Sequence, residues 1–242
     1  VQSECESAMI HLATYAKEKT NSDYLCLSGG VALNSVSNNK ILQSRLFKDI
    51  FINPGASDTG IALGCALYGY HHILKKPKCH NNLSPYLGPE YDDATIRTAF
   101  PDHENIDVYT NVATGEVAKL LAENKIVGFF NGRSETGPRA LGNRSILMSP
   151  LCAENKDYLN AKVKHREAFR PFAPAILDEY RDEYFEIDRE SPYMLLVPKV
   201  KPDKLDIIPA VIHVDGTGRL QTVTKEFNQG FYELISAFNK CT

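Results

Sequence analysis

No stretch of this 242-residue sequence holds eighteen consecutive apolar residues, so nothing in it reads as a membrane-spanning helix. None of the six cysteines (Cys5, Cys26, Cys65, Cys79, Cys152, Cys241) belongs to a Cys-x-x-Cys pair. Scattered in this way, they read as free thiols of a reducing cytoplasm and not as a disulfide framework. No Gly-Lys-Ser/Thr closes a glycine-rich run, which excludes a Walker A loop. The seven histidines contain no His-x-x-x-His pair, and spacing alone names no Ser/His/Asp triad. Internal repeats and low-complexity runs are absent. Positive charge is also short: 27 Lys and Arg stand against 30 Asp and Glu, for a net −3 and a pI near 6.2. That balance argues against general nucleic-acid binding, which wants a basic surface. The opening Val1-Gln2-Ser3-Glu4-Cys5 is neither basic nor followed by an apolar core, so it reads against a signal peptide. With no Met at position 1, the sequence reads as an excised fragment of a cytoplasmic protein.

What is present is an ordinary globular mixture, 43% apolar and 24% charged, enough for one large domain or two smaller ones. One stretch departs from it. From Arg133 to Arg170 there are eight Lys or Arg against four Asp or Glu, a local charge of +4 inside an acidic chain. Such an island marks a place to hold anions. Its first part, Gly132-Arg133-Ser134-Glu135-Thr136-Gly137-Pro138-Arg139-Ala140-Leu141-Gly142-Asn143-Arg144-Ser145, interleaves arginines with glycines. Glycines let backbone N–H groups approach a ligand, and guanidinium forks match phosphate or carboxylate oxygens. A solvated basic face is the plain alternative. It fits less well, because the arginines do not cluster on one helical face.

Apolar spacing predicts a helix over 2–19, a strand over 23–28, a helix over 35–46, a strand over 49–54 and a helix over 59–74. The pattern α-β-α-β-α is that of an α/β layer. Strand, Gly29-Gly30, then helix is an arrangement that seats phosphate on backbone N–H groups, although a ligand-free tight turn has the same sequence. Residues 75–91 read as a linker. His71, His72, Cys79 and His80 gather near it without completing a closed zinc set. Beyond it, helices are predicted over 92–100, 112–124, 154–163, 179–185 and 228–238. Strands are predicted over 106–109, 126–130, 145–148, 172–177, 194–200 and 211–214. Without strict alternation, this second part reads as α+β or mixed α/β.

Two further constellations carry chemistry. Asp58 stands at a turn before a helix, suited either to capping that helix or to serving as a metal or phosphate-side carboxylate beside the Gly29-Gly30 turn. His213-Val214-Asp215-Gly216-Thr217-Gly218-Arg219 brings an imidazole, a carboxylate and a guanidinium around two glycines, or else is a hairpin with Asp-Gly at its tip.

Five blocks together resemble the NodU/CmcH-type O-carbamoyltransferases: Leu27–Asn34, Asn53–Gly64, Gly132–Leu147, Phe169–Pro174 and His213–Val223. They fall in the family's order and cover nearly the whole sequence. The resemblance implies an actin-like (ASKHA) part over 1–78, a linker over 79–91, and a YrdC-like domain over 92–242. The last would make carbamoyl adenylate from ATP (with Mg2+) and carbamoyl phosphate, and the first would pass the carbamoyl group to a hydroxyl of a sugar or natural-product acceptor. It implies catalytic roles for Arg139, His213 and Arg219. Phosphate or nucleotide contacts fall to Gly29, Gly30, Val31, Asn34, Arg133, Arg139, Arg144, Ser145, Lys162, Arg166 and Arg170. Asp58 matches a metal-binding aspartate, with Fe2+ as the implied metal. The family's N-terminal lobe and its His-x-x-x-His ligands have no counterpart here, so the metal site is expected to be incomplete. Apolar surface left by that lobe would favour a homodimer. The alternatives from other classes are a non-catalytic nucleotide-binding module and an RNA-directed threonylcarbamoyl-type enzyme.

Overall fold

The computed structural model describes residues 1–78, 84–100 and 106–242. Helix α1 (Gln2–Thr20) stops at Asn21, which takes a left-handed φ of 48°. Strand β1 (Tyr24–Leu27) runs into Gly29, at φ 91°, and a 3-10 turn over Gly30–Leu33. Asn34 then caps α2 (Ser35–Gln43) by accepting from the Ser37 N–H at 3.2 Å. Strand β2 (Asp49–Ile52) pairs parallel with β1, from Tyr24 opposite Asp49 to Leu27 opposite Ile52. A 3-10 turn at Asp58–Gly60 leads into α3 (Ile61–Tyr68), which continues as a π turn over Gly69–Ile73.

A parallel β-α-β pair buries its inner face against helices. Here Ala13 of α1, Ile41 of α2 and Ile50 and Ile52 of β2 form that core, and Leu195 and Leu196 from far along the chain complete it. Asn38, fully buried on α2, donates to Leu195 O at 3.2 Å. The opposite side is open: Tyr24 is 69% exposed and α3 has no buried residue.

The rest of the chain places α4 (Asp93–Thr98), α5 (Thr114–Ala122), an antiparallel hairpin of β3 (Val127–Phe130) with β4 (Arg144–Leu147), and α6 (Glu154–Leu159). A π turn over Asn160–Lys164 extends α6. Then follow β5 (Ala175–Leu177), α7 (Arg181–Tyr184), β6 (Gln221–Val223), which pairs parallel with β5, and α8 (Gln229–Cys241). Leu234 of α8 meets Ala118 and Leu121 of α5, with Phe129 and Leu147 of the hairpin packed beside them. A third cluster joins Phe185, Val200, Ile208, Val211 and Leu220. The chain is thus a mixed α/β fold.

Three predicted strands are absent. Residues 106–109 are irregular, with Ile106, Val108 and Tyr109 about half exposed or more, so no burial supports pairing. Over 194–200 only isolated bridges form, at Lys199 and Val200. Met194 has a φ of 56°, and Pro198 has no N–H to offer a ladder. Those apolar residues are buried between two cores instead of in a sheet. Residues 211–214 are a 3-10 turn ending at Val211 and then a tight turn with Val214 fully exposed. Strand β6, which lacks a clear alternation, had no local signal. All three of its residues are buried.

The stretch over 84–91 has no regular structure, yet it is docked. Gly88 N–H bonds Ser134 O, and Ser134 N–H bonds Pro89 O, so it runs beside the basic loop. The Tyr86 hydroxyl donates to Leu141 O at 2.8 Å and accepts from Asn228 Nδ2 at 2.9 Å. Residues Cys79 and His80 lie outside the described residues. The other five cysteines are free.

Candidate anion site at a bare arginine cluster

The loop between β3 and β4 is held by one acid. Glu135 Oε1 accepts from the N–H groups of Leu141 and Asn143, both at 2.8 Å, and of Arg144 at 3.1 Å. Arg144 turns its guanidinium inward, donating to the carbonyls of Asn131, Asn143 and Gly132 at 2.8–3.0 Å, and lies over the Phe130 ring. Ser145 Oγ accepts from Gly142 N–H at 3.0 Å. Gly137, at φ 99°, is required by a close approach: a Cβ there would stand 2.4 Å from the Pro54 carbonyl oxygen.

That approach brings the sequence blocks together. Gly137 meets Pro54, and Arg139 Nη2 donates to Leu33 O at 3.4 Å, beside the Gly29-Gly30 turn. Gln221 Nε2 donates to Leu141 O at 2.9 Å, and Gln221 N–H to Pro174 O. Residues more than a hundred positions apart therefore frame one region.

Beside it opens a cavity of about 770 Å3, lined among others by Arg139, Ser145, Lys164, Arg166, Phe172 and Arg219. Among the described residues, none of Arg139, Arg166 and Arg219 forms an ion pair, although the Glu167 carboxylate feels the charge of Arg166. Arg133 and Arg170, in contrast, pair with Glu90 and Glu167. Burial, and then the charges of Arg139 and Arg166, bring the Arg219 pKa down to about 10. Burial also lowers that of Arg139, whose buried Nε finds no hydrogen-bond partner. Arg166 is oriented by Asn160 Oδ1, at 2.6 Å from its Nε, and by the Phe172 ring. Three guanidinium groups lining one cavity, two of them acting on the third, are an arrangement that suits an anion.

The other sequence candidates fall around this centre. Ser145 lines the cavity, whereas Arg133, Arg144, Lys162 and Arg170 lie outside its lining. Lys162 is exposed. Gly29, Gly30 and Val31 form an exposed turn, and Asn34 is engaged as the α2 cap and with Gln2. His213 does not line the cavity, but Arg219 acts on its imidazole electrostatically. Lys164 was missed. Its exposed position in a run of charged residues gave no sign that it borders a cavity. Glu135 was also passed over, as an acid inside a basic block.

Asp58 is exposed, and its side chain does not cap the turn it begins. Among the described residues, no three His, Cys, Asp or Glu side chains gather to hold a metal ion. Among the described residues, Asp58 is thus not joined by further ligands for the Fe2+ that the resemblance implied. No helix among the described residues is long and apolar enough to cross a membrane.

Comparison with known families decides the affiliation. Residues 118–242 match the family model for the carbamoyltransferase C-terminus, and residues 1–67 that for the carbamoyltransferase N-terminus. The chain belongs to the carbamoyltransferase family. Along its whole length it is 42% identical to nodulation protein NolO of Bradyrhizobium diazoefficiens, covering 45% of that protein, and 41% identical to nodulation protein NolNO of Sinorhizobium fredii, covering 36%. Over 90% of its length it is 36% identical to nodulation protein U of Rhizobium fredii, again covering 36%. This carbamoyltransferase-family chain thus spans less than half the length of these relatives. Both family matches contribute to the framed region, the N-terminal one through Leu33 and Pro54 and the C-terminal one through the basic loop.

Proposed function

We propose that this chain carries the phosphate-handling centre of an ATP-dependent O-carbamoyltransferase. Carbamoyl phosphate, water and ATP would give carbamoyl adenylate, phosphate and pyrophosphate. The carbamoyl group would then pass to a hydroxyl of a sugar or natural-product acceptor, releasing AMP. The observation that carries this reading is the cluster of Arg139, Arg166 and Arg219, three guanidinium groups that line one cavity and form no ion pair among the described residues. Adenylation gathers negative charge on the transferring and leaving phosphates, and preorganised cationic donors lower the barrier by meeting that charge as it develops. Burial strengthens the effect, because charges in a partly dry cavity are less screened than on the surface.

In this reading Arg139 and Arg219 touch phosphate oxygens directly, and Arg166 joins them from its Asn160 support. Arg144 and Glu135 keep the loop in shape. The Gly29-Gly30 turn, joined to the cluster through the Arg139 contact with Leu33, would accept a further phosphate in this reading. The reading divides the chain into an actin-like part over 1–78 and a YrdC-like part over 92–242. The exposed apolar surface of α3 supports self-association as a homodimer.

The test is calorimetric titration of the chain with a non-hydrolysable ATP analogue, beside Arg139→Ala. Loss of one half-buried charged donor should weaken binding by about 1.5–3 kcal/mol, roughly ten- to a hundredfold. Equal affinity in two equally folded proteins would remove the nucleotide from the arginine cluster and redirect attention to the Gly29-Gly30 turn.

A further inference from the structure

One group on the cavity wall is left over by the anion site. Gln221, the first residue of β6, lines the same cavity as Arg139, Arg166 and Arg219, and it is 2% exposed. Its backbone N–H donates to Pro174 O at 2.9 Å, and its side-chain Nε2 donates to Leu141 O at 2.9 Å. A carbonyl only accepts, so Leu141 O fixes which end of the Gln221 amide is nitrogen and which is oxygen. The Tyr86 hydroxyl donates to the same carbonyl, and Glu135 holds the Leu141 N–H, so the anchor is itself fixed. Gln221 Oε1 is then a buried acceptor that no donor among the described residues meets. Buried amide oxygens ordinarily have a donor, and leaving one without costs stability. The arginines of this cavity want negative charge, and this oxygen wants a hydrogen-bond donor. A ligand that satisfies both carries an anionic group with an N–H close to it.

We propose that Gln221 is a specificity-determining residue: its Oε1 accepts from the NH2 of the carbamoyl group while the arginines hold the phosphate attached to that group. The inference rests on the anion-site reading above and deepens it. The place of Gln221 in the chain selects this donor. It stands two residues after Arg219, and its anchor Leu141 two residues after Arg139, so the acceptor is tied to both segments that carry these arginines. In carbamoyl phosphate only an oxygen and a carbon separate the NH2 from phosphorus. The amino group of adenine, the other such donor in the reaction, lies beyond a ribose and most of a purine. The NH2 is also what distinguishes carbamoyl from its nearest mimics. An acetyl group puts a methyl there, and a carboxyl group an oxygen that Oε1 would repel. An acceptor that is already fixed and stripped of water makes its bond at little cost in ordering. A site built to bond an N–H discriminates strongly against an analogue that lacks it.

The experiment uses the whole chain and two stable phosphonates, phosphonoacetamide and acetonylphosphonate, which differ by NH2 against CH3. Titration followed by 31P resonance gives both dissociation constants. Wild type should bind the amide more tightly by about tenfold or more. Gln221→Met, of similar length, should bring the two ligands within about twofold of each other by weakening the amide alone, whereas a merely structural loss would weaken both. Gln221→Asn, which withdraws the oxygen by one methylene, should narrow the preference in the same way and serves where Gln221→Met does not fold. Equal binding of the two phosphonates to wild type would overturn the role of Gln221 and leave the anion site standing. A preference that survives in the folded variants would overturn it too. A wild-type chain that binds neither phosphonate would overturn the anion-site reading together with the inference. Comparison of AMP with IMP separates the two amines. A preference for AMP that vanishes in Gln221→Met, beside an unchanged preference between the phosphonates, would give Oε1 to adenine and overturn the carbamoyl assignment.

Discussion

One carboxylate oxygen, Glu135 Oε1, gathers the N–H groups of Leu141, Asn143 and Arg144 into the shape that presents Arg139. Those donors sit in a half-buried loop, where an unpaired N–H costs about 1–3 kcal/mol. Glu135→Ala should therefore lower unfolding stability by about 2–4 kcal/mol, the costs not being additive. Glu135→Gln, which keeps an acceptor oxygen, should lose less than half of that. Urea denaturation read by circular dichroism measures both. Arg144 illustrates the limits of charge counting at this scale. It belongs to the basic island, yet its donors go to three backbone carbonyls of the loop itself.

Among the elements, α8 has the firmest local basis. Its apolar positions repeat at helical spacing, Asn228 caps it by accepting from Phe231 N–H at 3.1 Å, and Phe231 and Leu234 are both buried. Leu234 is 1% exposed and packs against Ala118 and Leu121 of α5. Leu234→Ala should cost about 2–5 kcal/mol through lost burial and the cavity left behind, seen as a lower urea midpoint at unchanged slope. The same contact explains a glycine. Gly142 has a φ of 104°, and a Cβ there would enter the Phe231 ring at 2.3 Å, so α8 seats itself on a position where no side chain fits. Element α3 is the opposite case: predicted from small apolar residues, it forms, yet none of its residues is buried.

For the whole molecule, the arginine cluster is a stability cost at neutral pH. The folded-state pKa of Arg219 lies near 10, well below the ordinary guanidinium range. Between the two the unfolded chain binds more protons, so this residue's contribution to stability rises with pH across that window and is least favourable below it. An anion reverses the penalty by stabilising the charged form. Pyrophosphate at about a hundred times its dissociation constant should stabilise the chain by about 2.7 kcal/mol, or roughly 5–10 °C in melting temperature. Differential scanning calorimetry at pH 7.5 checks this, and the shift should shrink as the pH is raised toward 10 and Arg219 loses its proton. A shift that persists there at full size would place the anion elsewhere.

The sequence by itself determined the elements whose signals are local. The apolar periods of α1, α5 and α8, the strands β1 to β4, the Gly29 turn and the basic island could all be read from a few neighbouring residues, because helical and extended repeats and glycine's freedom at positive φ act at short range. Five ordered blocks also pointed to the carbamoyltransferase family that the comparisons support. Tertiary structure decided what depends on partners. It separated the bare arginines (Arg139, Arg166, Arg219) from Arg133 and Arg170, which have acidic partners, and from Arg144, bound to its own loop. It left 194–200 out of any sheet and carried Leu195 across 157 residues to Asn38. It also joined Gln221 to Leu141, a bond that leaves the Gln221 amide oxygen buried without a partner. Burial and counter-charge are properties of the folded surroundings, and a residue type carries neither of them along the chain.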